Sequence, residues 1–102
     1  MKSRFHDAAD AELTEAVAYY DGKASGLGDR FIAEVKAATR LIERYPEIAP
    51  VIDLGVRARV LTKFPYGLIY VVEPEELFIL AVAHLSKRPG YWADRIPDGL
   101  GG

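Results

Sequence analysis

The chain has 102 residues, of which half are hydrophobic and 27% are charged, and its formal net charge at pH 7 is −2. This length allows one hydrophobic core, and the slightly acidic balance argues against a free-standing nucleic-acid binder, which is usually basic. The absence of cysteine excludes disulfides and thiolate metal sites.

The composition also argues against membrane insertion and export. The sequence lacks a run of about 18 apolar residues, which a membrane-spanning helix needs, and residues 1–7 lack the apolar centre of an export signal. We therefore expect a cytoplasmic protein without membrane association. A single domain is predicted over residues 1–95, followed by a flexible tail over residues 96–102, where periodicity is absent.

Residues 1–23 predict a short strand and an amphipathic helix. The first five residues are a candidate edge strand. Asp7 is the expected N-cap of the helix, because its carboxylate can accept hydrogen bonds from free amides, and Asp21-Gly22 is the expected end. Glu12 and Glu15 are expected on the polar face. The apolar face, at three- and four-residue spacing, consists of Ala9, Leu13, Val17 and Tyr20.

A second helix is predicted after the short connection over residues 25–29. Pro46 stops it, because a proline inside a helix loses a hydrogen bond and clashes with the preceding turn. Two amphipathic helices joined by a short link predict an antiparallel hairpin, whose apolar faces a sheet must cover. The apolar stripe of the second helix consists of Leu27, Phe31, Val35, Ala38, Ile42 and Tyr45.

The second half of the chain predicts a three-stranded antiparallel meander after a loop over residues 46–55. Residues 56–62 alternate in polarity, and residues 68–72 and 77–85 follow after short turns that contain proline. The last strand is almost wholly apolar, which indicates burial on both faces. The fold class is therefore α+β, with a short N-terminal strand, a helical hairpin and a meander packed on the helices.

Common enzymatic signatures are absent from the sequence. Gly26-Leu27-Gly28 lacks the Lys-Ser/Thr of a phosphate loop, and His6 and His84 do not have metal-ligand spacing. A nucleophile elbow is missing as well. We therefore expect neither a cofactor nor a metal, so that function depends on charge, stacking and shape.

Cations collect on and after the first strand of the meander. Arg57 and Arg59 share one strand face, and Lys63 follows the strand. Three uses are open for them: a solvated outer face, contacts to phosphate, or a docking surface for an acidic partner peptide.

His84 ends the apolar strand and is expected on the same face as Phe78, Leu80 and Val82. It serves either as hydrogen-bonded packing or, because it titrates near neutral pH, in proton transfer or phosphate binding.

Lys87, Arg88, Tyr91 and Trp92 follow directly and combine cations with aromatic faces, which suits phosphate and base contacts. Alternatively, Tyr91 and Trp92 fold back over the core as a lid. The two alternatives are compatible with each other if Trp92 is buried and the cations are exposed.

In their order and spacing, these segments resemble the RelE/ParE superfamily of bacterial toxins from type II toxin–antitoxin modules, and the ParE-like members in particular. The resemblance runs from about Phe5 to Arg95. The matching segments are Ala8-Ala9-x-Ala11-Glu12-Leu13, Gly26-Leu27-Gly28-Asp29-Arg30-Phe31, Tyr45-Pro46, Arg57-x-Arg59-Val60-Leu61, Phe64-Pro65-Tyr66-Gly67-Leu68-Ile69-Tyr70, Leu80-Ala81-Val82-Ala83-His84 and Pro89-x-x-Trp92.

The resemblance implies a co-encoded antitoxin that wraps the toxin in a hetero-oligomer and lays a helix or extended stretch across its helices and sheet. It also implies growth inhibition and plasmid stabilization. The helical stripes, otherwise simply core, then leave an apolar groove for this partner. The antitoxin-binding residues implied are Leu13, Val17, Tyr20, Phe31 and Val35.

Two targets are compatible with the resemblance. ParE-type members inhibit DNA gyrase, whereas RelE-type members cut mRNA in the ribosome, and the acidic net charge and long helical hairpin favour gyrase. The alternatives are a metal-independent mRNA endoribonuclease and a degenerate, merely antitoxin-binding protein. Target-binding residues would be Arg57, Arg59, Lys63, Lys87, Arg88 and Trp92, and catalytic residues of a ribonuclease would be His84, Arg88, Tyr91, Arg57 and Arg59.

Overall fold

The computed structural model describes residues 1–97, in which two helices pack on a five-stranded sheet. The sheet has the strand order β1-β5-β4-β3-β2, with β1 parallel to β5 and the other pairs antiparallel. The predicted α+β class is confirmed. The elements are β1 (Lys2–Phe5), α1 (Asp7–Lys23), α2 (Leu27–Arg44), β2 (Val51–Asp53), β3 (Val56–Val60), β4 (Tyr66–Val72), β5 (Glu76–His84) and a 3₁₀ turn (Ala93–Arg95).

Both predicted ends of α1 need correction. The N-cap is His6, whose Nδ1 accepts a hydrogen bond from the Ala8 amide at 3.0 Å, so that Asp7 is the first helical residue. The helix also continues through Gly22 to Lys23. Asp21 has another role, because its carboxylate accepts a hydrogen bond from the Gly28 amide at 2.9 Å and so joins α1 to the start of α2.

The helix α2 ends before Pro46 as predicted, but it begins at Leu27, inside the predicted connection, and Tyr45 of the predicted stripe is its C-cap and is 50% exposed. Its first turn requires glycine at position 28, since a Cβ there would lie 2.6 Å from the carboxylate of Asp21. Neither α1 nor α2, the helices of residues 1–97, is long and apolar enough to cross a membrane.

The predicted loop over residues 46–55 contains a strand, β2, at the edge of the sheet. The Pro50 carbonyl accepts a hydrogen bond from the Ala58 amide, and Gly55, with φ of 71°, permits the tight turn into β3. The prediction missed this strand because a three-residue segment between turn residues shows no periodicity of its own.

The core lies on both sides of the sheet, and β5 is buried on both faces as predicted. We call the side under the helices the inner cluster; among its fully buried members are Phe31, Ile42, Leu68, Tyr70 and Ile79. The outer cluster, on the opposite face, consists of Val56, Ile69, Val71, Phe78, Leu80, Ala81, Ala83 and Trp92.

A β-bulge at Leu80 interrupts the regular alternation of β5. The β4–β5 register pairs Ile69 with Ala81 and Tyr70 with Ile79, so that Leu80 is an extra residue. One inserted residue reverses the faces of all later side chains in a strand. Consequently Leu80 and Ala81 both belong to the outer cluster.

The end of the described chain continues the outer cluster, since Ile96 packs against it. The prediction of a flexible tail falls mainly on residues 98–102, which lie outside the described residues.

Candidate functional site

The outer face of the sheet carries an open groove of about 420 Å³ near the end of β5. Its floor is apolar, formed mainly by Ala58, Val60, Ile69 and Ala83. The residues that follow β5 form one wall and the rim, namely Lys87, Arg88, Pro89, Gly90, Tyr91 and Trp92. An apolar floor with a charged rim is typical of a surface that binds another macromolecule.

Exposed apolar side chains extend this surface toward the sheet edge at β2. Ile52, Val60 and Leu85 line the groove and are 48%, 51% and 57% exposed. Large apolar side chains grouped in this way, unlike scattered single ones, indicate an interaction surface.

Trp92 is buried in the outer cluster, with 4% of its surface exposed. Lys87 and Arg88 are exposed, and within residues 1–97 neither forms a salt bridge. The Lys87 ammonium lies 5.8 Å from the centroid of the Tyr91 ring. Trp92 is therefore a buried anchor and the two cations are exposed, which combines the two alternatives predicted from the sequence.

Arg57 lies on the other face of the sheet. It pairs in register with Tyr70 of the inner cluster, and its guanidinium donates to the carbonyls of Glu47 at 3.1 Å and Ala49 at 2.7 Å. These bonds hold the loop between α2 and β2 against the sheet. The structure therefore gives Arg57 a structural contact, away from Lys87 and Arg88.

We expect Arg57→Ala to lower the free energy of unfolding by about 1–3 kcal/mol, since hydrogen bonds from a charged group would be lost and two carbonyls left without their donor. Urea denaturation measures this loss. Arg44→Ala, which removes an exposed arginine from the last turn of α2, serves as the control. Equal midpoints for the two variants would show that the Arg57 bonds do not stabilise the fold.

Arg59 and Lys63 also lie on the helix side of the sheet. Arg59 lines a cleft of about 240 Å³ against α2, together with Glu34 and Leu41. The Lys63 amide donates to the Glu34 carboxylate at 2.9 Å, and its exposed side chain borders Leu27 and Arg30. The six predicted target-binding residues are thus divided: Lys87, Arg88 and Trp92 share the groove, and the three others lie across the sheet.

The bulge corrects the predicted orientation of His84. After it, His84 shares the inner face with Val82 but not with Phe78 or Leu80, and its ring contacts Tyr66 edge-on at 5.0 Å between centroids. Its Nδ1 accepts a hydrogen bond from the Ser86 amide at 3.0 Å. The hydrogen-bonded packing expected as one alternative is therefore present.

A polar cluster behind the groove wall joins α1 to the C-terminal residues. Tyr91 donates its hydroxyl proton to Glu12 Oε2 at 2.7 Å, and Arg95 contacts both Glu12 oxygens, at 3.0 and 3.2 Å. The Arg95 guanidinium also lies 5.1 Å from the centroid of the Tyr91 ring. Tyr91, a proposed catalytic group of a ribonuclease, is thus bonded to a carboxylate within the fold.

The same cluster satisfies backbone groups of β5 that lack a neighbouring strand. β1 pairs with β5 only as far as Ile79, so the next residues have no partner on that side. Glu12 Oε1 accepts a hydrogen bond from the Val82 amide at 3.0 Å, and Arg95 donates to the Leu80 carbonyl at 3.0 Å. Glu12 and Arg95 therefore replace the missing strand around the bulge.

Sequence reasoning missed this cluster, because Glu12 was expected on the polar face of α1. A signal was available: Glu12 lies three residues after Ala9 and four before Ala16, the two buried residues of α1. Helical spacing puts all three on one face, and the small alanines leave room for the carboxylate to reach β5. The hydrogen-bond partners of Glu12 could not be predicted from the sequence, since Arg95 is 83 residues away.

Burial and the hydrogen bond to Glu12 raise the pKa of Tyr91 above its usual range. Since the pKa is higher in the folded state, the protonated hydroxyl stabilises the fold up to about pH 10, the usual tyrosine value, and this stability is lost as the pH rises further. We expect Tyr91→Phe to reduce the fall in melting temperature between pH 9.5 and 11.5. An unchanged slope would contradict the coupling; Tyr45→Phe, at an exposed tyrosine, is the control.

The residues implied for antitoxin binding are only partly accessible. Phe31 is fully buried and Val35 is 2% exposed, whereas Leu13, Val17 and Tyr20 are half-buried on α1. A cleft of about 270 Å³ opens between the helices and β1. Its lining consists of Phe5, Leu13, Ile32, Val35, Lys36, Thr39 and Arg40.

Metal ligation finds no support in the part of the chain that the structure describes. No group of three His, Cys, Asp or Glu side chains in residues 1–97 is arranged to hold a metal ion.

Comparisons with known proteins agree with this architecture. The chain resembles a solved structure described as "Chromosomal ParDE TA system from P. aeruginosa", with a TM-score of 0.62 and 18% sequence identity over 82% of this chain and 95% of the other. At this identity the likeness concerns the fold. No curated protein sequence matches the chain. The family of ParE toxins of the type II toxin-antitoxin system parDE matches residues 4–89. With most of its length matched in this way, the chain belongs to the ParE toxin family.

Proposed function

We propose that this protein is the toxin of a ParDE-type module and that it stops growth by inhibiting DNA gyrase in the cytoplasm. The observation that supports inhibition by binding is the groove on the outer face, with exposed apolar side chains on one side and Lys87 and Arg88 on its rim. Such a surface suits attachment to a large protein–DNA complex, because the apolar part supplies burial and the cations meet phosphate or acidic residues.

The arrangement of the polar groups favours this proposal over RNA cleavage. A metal-independent ribonuclease needs a proton acceptor and cations around one phosphate. Here Arg57 and Arg59 lie across the sheet from Arg88, and the former is bonded to backbone carbonyls. The hydroxyl of Tyr91 is bonded to Glu12. His84 lines the groove with Arg88, but the two strand arginines lie elsewhere and the Tyr91 hydroxyl is occupied.

The proposal includes a co-encoded antitoxin that forms a hetero-oligomer with this chain. The cleft between the helices and β1, with Leu13 and Ile32 in its lining, offers apolar surface for a helix of that partner. Val17 and Tyr20 continue the half-buried strip along α1. Support for such a partner also comes from the ParDE description of the similar structure.

A plasmid reaction with the purified full chain, gyrase and ATP tests the target. We expect loss of supercoiling and the appearance of gyrase-dependent linear DNA, at toxin concentrations comparable to that of the enzyme. A reaction with topoisomerase I in place of gyrase controls for effects on DNA itself. No effect at high excess of folded toxin would contradict gyrase inhibition, and cleavage of mRNA on translating ribosomes would then identify a ribonuclease.

A further inference from the structure

The residues that carry the groove cations belong to a segment whose side chains bond to one carboxylate of α1, that of Glu12. We call residues 87–96 the C-terminal segment; it begins with Lys87 and Arg88 and ends beyond the 3₁₀ turn. Glu12 receives hydrogen bonds from two side chains of this segment, Tyr91 and Arg95. These hydrogen bonds act together with the packing of Tyr91, Trp92 and Ile96 in the outer cluster to hold the segment in place.

The surroundings of Glu12 make these contacts stronger than those of an ordinary surface ion pair. The side chains of Glu12 and Arg95 are only 20% and 15% exposed, so solvent screens their attraction weakly. The two guanidinium nitrogens of Arg95 meet the two carboxylate oxygens, a geometry that restrains orientation as well as distance. Arg95 donates in addition to the Leu80 carbonyl, which ties the segment to the bulge.

The wall of the groove depends on this attachment. Tyr91 and Trp92 form the wall, and Lys87 and Arg88 precede them by only a few residues. Glu12→Gln would remove the charge and replace one of the two acceptor oxygens with an NH2 group, so that the Val82 amide, the Tyr91 hydroxyl and the Arg95 guanidinium could no longer all stay bonded. Since these groups act as a unit, the loss would not be confined to one contact.

We propose that Glu12 and Arg95 are positioning residues: they hold the C-terminal segment so that Lys87 and Arg88 face the target, without contacting the target themselves. This inference rests on the proposed function, in which the groove binds the target. It assigns to α1 a second role, in addition to covering the inner cluster, because its carboxylate sets the geometry of the opposite side of the sheet.

The test uses Glu12→Gln, with Glu15→Gln as the matched control on the exposed face of the same helix. Trp92 is the only tryptophan of the chain, so its emission reports on the segment directly. We expect red-shifted Trp92 emission and stronger acrylamide quenching in Glu12→Gln, with unchanged helix content by circular dichroism. Growth arrest in cells and gyrase inhibition should both weaken about tenfold or more, whereas Glu15→Gln should match the original chain.

Arg95→Lys and Arg95→Met supply a second comparison should Glu12→Gln fold poorly. Lysine keeps the charge opposite Glu12 but carries its donors on one nitrogen and lacks the planar fork of arginine, so we expect partial retention of toxicity with lysine and loss with methionine. Full toxicity in a variant whose Trp92 has become exposed would overturn the positioning role. Unchanged Trp92 emission in Glu12→Gln and Arg95→Met would overturn it as well.

An error in the proposed target can be distinguished from an error in the positioning role. If the original chain arrests growth but leaves gyrase active, gyrase is not the target. The growth-arrest comparison between Glu12→Gln and Glu15→Gln still decides the positioning role in that case, because growth arrest does not depend on which target is correct.

Discussion

Leu80→Ala is expected to lower the free energy of unfolding by about 2–5 kcal/mol, the range found when a buried leucine is truncated. Leu80 is fully buried at the bulge of β5 and belongs to the outer cluster. The loss has two sources: the transfer of apolar surface and the cavity left in the outer cluster. Equilibrium urea denaturation measures the effect.

The matched control is Leu85→Ala, one position beyond the end of β5. Leu85 is 57% exposed, so the same chemical change should alter the free energy of unfolding by less than about 0.5 kcal/mol. A Leu80→Ala midpoint equal to that of Leu85→Ala would contradict the burial of Leu80 and, with it, the bulge.

The second large effect is expected on function. Replacing both Lys87 and Arg88 with alanine should raise the concentration needed for half-inhibition of gyrase about tenfold, equivalent to roughly 1.4 kcal/mol of binding free energy. Both side chains are exposed on the rim of the groove and lack salt bridges within residues 1–97. The melting temperature should therefore hardly change, and the salt dependence of inhibition should become weaker.

Lys36→Ala combined with Arg40→Ala removes the same net charge from exposed positions of α2 and serves as the control. Equal inhibition by the two double variants would show that the groove cations are not part of the target contact. A large fall in the melting temperature of the Lys87/Arg88 variant would instead assign these residues to the fold.

The elements that the sequence predicts well are those determined by local patterns. The apolar stripe of α2 and the stop at Pro46 depend on spacing within one helix, and α2 ends before that proline. The apolar run of β5 likewise indicated burial on both faces. Matching segments in the right order were sufficient to indicate the family.

The candidate site was predictable only in part. The burial of Trp92 beside exposed Lys87 and Arg88 was one of the alternatives predicted from the sequence, because all three residues lie within a segment of six. The sequence did not predict that Arg57 lies apart from these cations. Its position depends on which face of β3 meets the helices and on the carbonyls that the guanidinium reaches.

The sequence by itself determined the helical hairpin, the apolar strand β5 and the family, because each follows from spacings within short segments and from the order of those segments. Only the tertiary structure decided the edge strand β2, the orientation of His84 after the bulge, and the cluster of Glu12, Tyr91 and Arg95. The first two depend on how strands pair, β2 with β3 and β4 with β5, and the cluster depends on a different cause. A backbone group left without a partner strand must find a polar side chain, and the side chain that reaches it is chosen by three-dimensional proximity, across 70 residues for Glu12 and Val82.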